Sequence, residues 1–361
     1  MTPRRPQRPT RPSRLRRIAP NHALRGLASL ALVGLLALGA CDKPTAFGEA
    51  DSLIVVADSA LWSGVEQDTY DALEPPVFTV REEKTFNVTF VANTASELEQ
   101  LLLWKQVLVF GPADDPRIQA IVDASGREAA VEPGDIVQAD NVWARGQLAT
   151  AIVLDPADPA ASWRAALPEL HDLLDDQFRS YATSRMWVSG EDTAFAARVA
   201  DRYGITLRAP QIYHGRIAED GTIRLRNDRP SPADRIRSIL IERRDPGSGA
   251  ASADAPLDPE AVFAWREGID STAYNVPQSI ERVDVAPRRF ELNGAPAIEV
   301  RGIWHDEAAY PAAGPFMARA VRCPDATWFF DAWLYAPHPE DSKYEYMLQL
   351  EEILDSFRCS P

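Results

Sequence analysis

Cysteine is almost absent from the 361 residues: three occur, at positions 41, 323 and 359. There is no C-x-x-C pair, so a cysteine-built zinc site has no starting point. Histidine is scarce as well, with five residues and no H-E-x-x-H pair, and neither a G-x-S-x-G elbow nor a Walker loop is present. No metal or cofactor is expected. Acids are missing from the first 40 residues, which carry eight arginines. Setting those aside leaves 30 basic residues against all 53 acids, a net charge of −23 for residues 41–361. A body that acidic repels phosphate backbones, which disfavours nucleic acid as a partner. Long apolar runs are lacking too. The longest, Gly26 to Ala40, has fifteen uncharged residues and as a helix spans about 22 Å against a hydrocarbon core of about 30 Å.

What is present is ordinary for a folded protein: 45% hydrophobic, 25% charged and 9% aromatic residues, which excludes global disorder. The arginine-rich start followed by GLASLALVGLLALGA has the form of an export signal. Its end, Leu38-Gly39-Ala40-Cys41, resembles a bacterial lipobox, and the thiol of Cys41 is the atom that would carry diacylglycerol. A plain secretory peptide is the alternative, and Arg16-Arg17 lacks the neighbours of a twin-arginine signal. With two or three acyl chains such an anchor holds stably where one is marginal. The expectation is a lipoprotein on the extracytoplasmic face of the cell envelope, in the inner or outer membrane, with the bilayer as its first partner. Asp42 resembles an inner-membrane retention signal of enteric bacteria, which leaves the leaflet open. Cys323 and Cys359 remain as a pair in an oxidising compartment and are expected to form a disulfide; two unrelated buried thiols are the alternative.

The organisation expected is a signal peptide over 1–40, a lipidated tether over 41–50, an N-terminal α+β region over 51–245, a loop or linker over 246–258, and a C-terminal antiparallel sheet with a terminal helix over 259–361. LIVVA at 53–57 reads as a strand, and Asp58 as the N-cap of a helix carrying Trp62, Val65, Thr69 and Leu73. Ser96 and Glu99 suggest a capping box. Pro168 is placed in a first helical turn. SILIERR and VFAWRE both read as strand-like, on either side of the Gly/Ser/Pro-rich break. Five short strand-like runs between Ile280 and Tyr335 leave no room for helical crossovers, so their pairing is antiparallel. From about Asp341 a helix presents Tyr346, Leu350, Ile353 and Phe357 on one face. The fold class is α+β, with antiparallel sheets, packed helices and the last helix lying across the C-terminal sheet, rather than doubly wound.

Arg301-Gly302-Ile303-Trp304, Gly314-Pro315-Phe316, Asp331 to Pro337 (DAWLYAP) and the helix YEYMLQLEEIL resemble the bacterial lipoprotein family of domain of unknown function 4837. Weaker likenesses run through Leu53 to Ala57, Leu61-Trp62, Glu74-Pro75, Trp143 to Gln147 and Phe263 to Arg266, so the resemblance extends over most of the chain after Cys41. It implies the same fold and location and no chemistry.

Binding candidates come from side chains that fit their strands poorly. Asp331 interrupts the apolar run TWFFDAWLYA and needs a partner if buried; Arg319, Arg322 and Arg301 are the neighbours considered. Trp304, Trp328 and Trp333 belong to a set of nine tryptophans. Core packing is their default role, and an exposed Trp328 or Trp333 would stack on a sugar or a peptide. Arg301 would offer a guanidinium to an anion, and Gly302 would permit a close backbone approach. His305-Asp306-Glu307 is the densest polar cluster, but neighbours on one strand point to opposite faces. These features favour a non-enzymatic binding or assembly module with an envelope protein or glycan as partner. The alternative is a hydrolase of envelope glycan acting through paired carboxylates.

Overall fold

The computed structural model describes residues 43–80, 82–229, 235–245, 256–269, 278–306, 312–335, 337 and 342–359. Cys41, Glu307, Asp341 and the glycine-rich stretch at 246–255 lie outside them. The chain divides into a short unit ending at Pro44 and a compact unit over Thr45–Pro361. Within the latter the expected tether is already structured. Thr45 and Phe47 bridge to Arg145 and Trp104, Ala46 N–H donates to Arg145 C=O at 2.8 Å, and Phe47 packs on the Trp104 ring.

The first half builds a sheet from β1 (Ser52–Ala57), β4 (Asn87–Ala92), β5 (Gln106–Gly111), β6 (Ile136–Asp140) and β7 (Leu148–Val153), with a small hairpin of β2 (Pro76–Phe78) and β3 (Glu82–Lys84) to one side. The sheet order is β4-β1-β5-β7-β6. Its first four strands pair parallel, and β6 adds antiparallel at the edge. This departs from the antiparallel expectation, although the chain as a whole is α+β. Crossovers such as α1 (Ser59–Leu73), α2 (Leu98–Leu101) and α3 (Pro116–Ser125) supply the length that parallel pairing needs. Strands covered on both faces read as unbroken apolar runs, and LIVVA and VLVF do so. Asp58 caps α1 as expected, accepting from the N–H groups of Ala60 and Leu61. Ser96 does not cap α2; its hydroxyl turns to the Glu97 carboxylate.

Helix α4 (Pro159–Met186) begins nine residues before Pro168, because Asp158 accepts from the Ala161 N–H and Pro159 takes the first helical position. Pro168 therefore sits inside the helix, where it removes one backbone donor. Trp163, Leu170, Leu174 and Phe178 of α4 pack in the first core, and Met186 reaches the second. After α5 (Thr193–Tyr203) come β8 (His214–Ile217), β9 (Ile223–Asn227), β10 (Arg237–Arg244), α6 (Pro259–Glu267), β11 (Ser279–Arg282), β12 (Arg288–Leu292), β13 (Ala295–His305), β14 (Ala313–Arg322), β15 (Thr327–Leu334) and α7 (Tyr344–Asp355). The strands form one antiparallel sheet, β11-β13-β14-β15-β10-β9-β8, with β12 also on β13.

One expectation changes here. VFAWRE is helix α6, not a strand, because Asp258 caps it, Pro259 starts it, and Val262, Phe263, Trp265 and Arg266 then share its buried face. On the two sides of 246–258, β10 pairs with β15 over eight residues, Arg237↔Leu334 to Arg244↔Thr327. Helix α7 crosses one face of this sheet with Leu350, Ile353 and Leu354, while its Tyr344 and Leu348 join the first core. Helix α6 covers the opposite face. A disulfide joins Cys323, after β14, to Cys359, after α7, with Cα atoms 5.5 Å apart. Among the described residues no helix is long and apolar enough to cross a membrane.

Candidate functional site

The three candidate tryptophans are core residues. Trp304 and Trp333 meet under α6 with ring centroids 5.0 Å apart, and Trp304 Nε1–H donates to Leu334 C=O at 3.0 Å. Trp328 packs against Phe357 and Tyr203 on the α7 side. Residues 328 and 333 differ in parity along β15, so they face opposite sides of a sheet covered on both. They cannot share a stacking platform, and the exposed-tryptophan expectation is overturned. Gly302 does permit close approach: a Cβ there would lie 2.7 Å from Glu281 C=O and 2.5 Å from the Phe316 ring.

Asp331 finds its cation on α6. Arg266 Nε lies 2.8 Å from its carboxylate, with the two side chains 1% and 0% exposed. None of the three arginines considered from sequence is the partner, because they lie on strands while Asp331 points at the helix covering its own face.

Arg301 is one member of a charged cluster beneath α7. Glu299 accepts from Arg319 at 2.5 Å and from Arg301 at 2.8 Å, Arg288 is 3.3 Å away, and Glu351 of α7 closes the cluster on Arg288, Arg301 and Arg319. Burial alone would raise the Glu299 carboxyl, but the guanidinium groups of Arg319, Arg301 and Arg288 outweigh it and hold the carboxyl down to about 2. Glu299 and Glu351 line one cavity of about 480 Å³. A general acid needs a raised pKa, so Glu299 is the opposite of what a glycosidase-type pair requires. His305 faces Glu281 at 3.2 Å, away from this cluster.

Another concavity among the described residues lies where the end of α4, the start of α7 and the β9/β10 ends meet. It comprises two adjoining cavities of about 490 and 760 Å³ that share Arg185, Glu345 and Tyr346. Arg185 pairs with Glu345 at 3.0 Å. Burial raises the Glu345 carboxyl, with Arg185 opposing it. Tyr346 lies between two guanidinium groups, Arg235 at 5.1 Å and Arg237 at 4.9 Å from its ring centroid, and its hydroxyl accepts from Arg235 at 2.9 Å. Arg237, 4% exposed, donates through Nη2 to Arg229 C=O at 2.7 Å, while its Nε–H has no acceptor among the described residues. Asn227 is wholly buried. Its Oδ1 accepts from Arg229 N–H at 3.0 Å, and its Nδ2 is likewise unmatched. None of these residues was singled out from sequence. One signal was there: five arginines between 224 and 237 in an otherwise acidic body.

No curated protein matches the chain. Three solved structures resemble part of it. PsbP (CyanoP) of the cyanobacterium Synechocystis is 12% identical with a TM-score of 0.31, covering 43% of this chain and 86% of its own. LpqN of Mycobacterium tuberculosis, described as involved in cell envelope biogenesis, is 14% identical with a TM-score of 0.28 over 44% and 83%. The Ran-binding protein Mog1p of Saccharomyces cerevisiae is 15% identical with a TM-score of 0.29 over 43% and 90%. A family model matches residues 192–356, which includes the Phe263 to Arg266 likeness and excludes those upstream of 192. That model is the one for domain of unknown function 4837, and the segment it matches holds α5, every strand of the second sheet, α6 and α7.

Proposed function

We propose that this protein is a lipoprotein moored to the cell envelope through Cys41, whose folded unit is a non-enzymatic binding or assembly module outside the cytoplasm. The observation that carries the binding half is the composition of one cavity of about 760 Å³ among the described residues, lined by Arg185, Arg229, Arg237, Asn227 and Tyr346, with Glu345 as its acid. Glu345, the acid that lies there, is already neutralised by Arg185. Two features support the location. The lipobox-like LGAC ends a charge-free run too short to span a bilayer, and the Cys323–Cys359 disulfide is of a kind that persists in oxidising compartments. Only Asp42, Lys43 and Pro44 separate Cys41 in sequence from the compact unit that starts at Thr45.

The test is metabolic labelling with palmitate, followed by detergent partition of the wild type and Cys41→Ser. Label and detergent-phase recovery are expected for the wild type and lost in the variant. A Cys41→Ser protein that is processed normally and still partitions with detergent would sink the mooring.

A further inference from the structure

The larger cavity of the groove at the α4, α7 and β9/β10 junction is lined by Arg185, Arg229 and Arg237, with Glu345 as the acid among the described lining residues. Arg185 pairs with that acid, and Arg235 and Arg237 act on it at longer range, so guanidinium groups outnumber carboxylates around this cavity among the described residues. Arg237 is the most telling of them. At 4% exposure it makes no ion pair with a carboxylate among the described residues; it meets a backbone carbonyl, the Tyr346 ring and the buried Tyr213 side chain. A buried guanidinium is ordinarily paired, because removing its hydration costs several kcal/mol. Beside it, the Asn227 amide, fixed through Oδ1, holds an unmatched Nδ2 donor.

These groups are all donors or cations, and such an array lacks an anion. Arg forks suit the tetrahedral oxygens of phosphate, and two guanidinium groups beside an amide donor match an anionic phosphate. The cavity, about 760 Å³, is far larger than an inorganic ion and is also lined by Met186, Ile212 and the Tyr346 ring, which fits an apolar body attached to the anion. The net charge of the body opposes anion binding only at long range. Within a screening length of about 8 Å the local arginines dominate.

We propose that this groove binds a phosphate-bearing ligand of net negative charge with an apolar portion, its phosphate held by Arg237, Arg229 and the Asn227 amide and its body lying along Met186, Ile212 and Tyr346. The proposal rests on the reading of the folded unit as a binding module and assigns that module a ligand class. The phosphate can belong to a lipid headgroup or to a soluble phosphomonoester.

The test uses the full-length protein purified in detergent and titration calorimetry at low salt, with glycerol 3-phosphate, dihexanoyl phosphatidylglycerol, dihexanoyl phosphatidylcholine and acetate as probes. Saturable binding of either of the first two is expected, weakened at least tenfold by Arg229→Gln and by Asn227→Leu and unchanged by the remote Arg164→Gln. Arg229 is exposed, so its variant remains informative should a change at buried Arg237 fail to fold. Binding of glycerol 3-phosphate alone supports a soluble ligand, and binding of phosphatidylglycerol alone supports a headgroup. The proposal is overturned if neither binds, if both groove variants bind like wild type, or if phosphatidylcholine or acetate binds equally well. Palmitate labelling of Cys41 is independent of these results, so the mooring and the ligand class can fail separately.

Discussion

Arg266 of α6 and Asp331 of β15 form an ion pair with a nitrogen–oxygen distance of 2.8 Å and essentially no solvent exposure on either side. The guanidinium also donates to the Gln278 side chain at 2.5 Å and lies over Phe316. This contact pins the helix to the face of the sheet formed by Trp304, Trp333 and Phe329. Breaking a buried pair by removing one member strands the other charge and typically costs about 3–5 kcal/mol, whereas replacing both by apolar groups is often neutral.

Asp331→Ala and Arg266→Met are therefore each expected to lower the unfolding free energy from urea titration by about 3–5 kcal/mol. The double variant Arg266→Met/Asp331→Leu should recover most of the loss. A double variant as unstable as the sum of the singles would show that the two side chains act independently.

Acid titration should report on Glu299. Its carboxyl is held at about 2 in the folded protein against an ordinary value of 4.5. A folded-state pKa below the unfolded one contributes stability that is whole above pH 5 and lost as pH falls through 4.5 towards 2. At about 1.4 kcal/mol per unit this amounts to roughly 3 kcal/mol. Glu299→Gln is expected to be less stable than wild type at pH 7 and to flatten the slope below pH 4.5. Equal slopes in chemical denaturation series from pH 7 to pH 3 would refute the assignment.

The disulfide links residues 36 apart in sequence, and a loop of that size adds about 3–4 kcal/mol in the chain-entropy treatment. Reductant or Cys323→Ser should lower the thermal midpoint by several degrees without changing the far-ultraviolet circular dichroism at 25 °C. The loss should be felt first at the end of α7, through hydrogen exchange of Phe357 and Arg358.

Gly314 sits where β14 passes the end of β15. A Cβ at this position would fall 1.7 Å from Leu334 C=O and 3.0 Å from Trp304 Nε1, so strand separation or a shift of Trp304 must follow. Gly314→Ala should cost at least the roughly 1–3 kcal/mol of core overpacking and break the Trp304 to Leu334 hydrogen bond. A thermal midpoint within one degree of wild type would contradict the packing.

Much of the local structure is legible along the chain. The run LIVVA followed by Asp58 shows a strand and a capped helix, and the Tyr346, Leu350, Ile353, Phe357 spacing shows the last helix, because caps and apolar periodicity are local signals. VFAWRE misled for a physical reason: six residues with four apolar ones satisfy either period, and the deciding signals, Asp258 and Pro259, lie just upstream in a segment rich in loop residues. The candidate site was less legible. Trp328 and Trp333 could be separated by parity within β15, yet nothing local says that helices cover both faces. Asp331 announces that it needs a partner but not which one, since Arg266 comes from a helix 65 residues away in sequence.

By itself, the order of residues determined the α+β class, the antiparallel pairing of the last strands, and the choice of Cys323 and Cys359 as a pair. These depend on short-range spacing, composition and the small number of cysteines. Only the tertiary structure decided that four strands of the first sheet pair parallel, that the tryptophans are interior, and that Arg237, Arg229, Asn227 and Tyr346 converge on one groove. Each of those depends on which surfaces meet, and burial, charge compensation and hydrogen-bond satisfaction are properties of contacts between segments far apart in the chain.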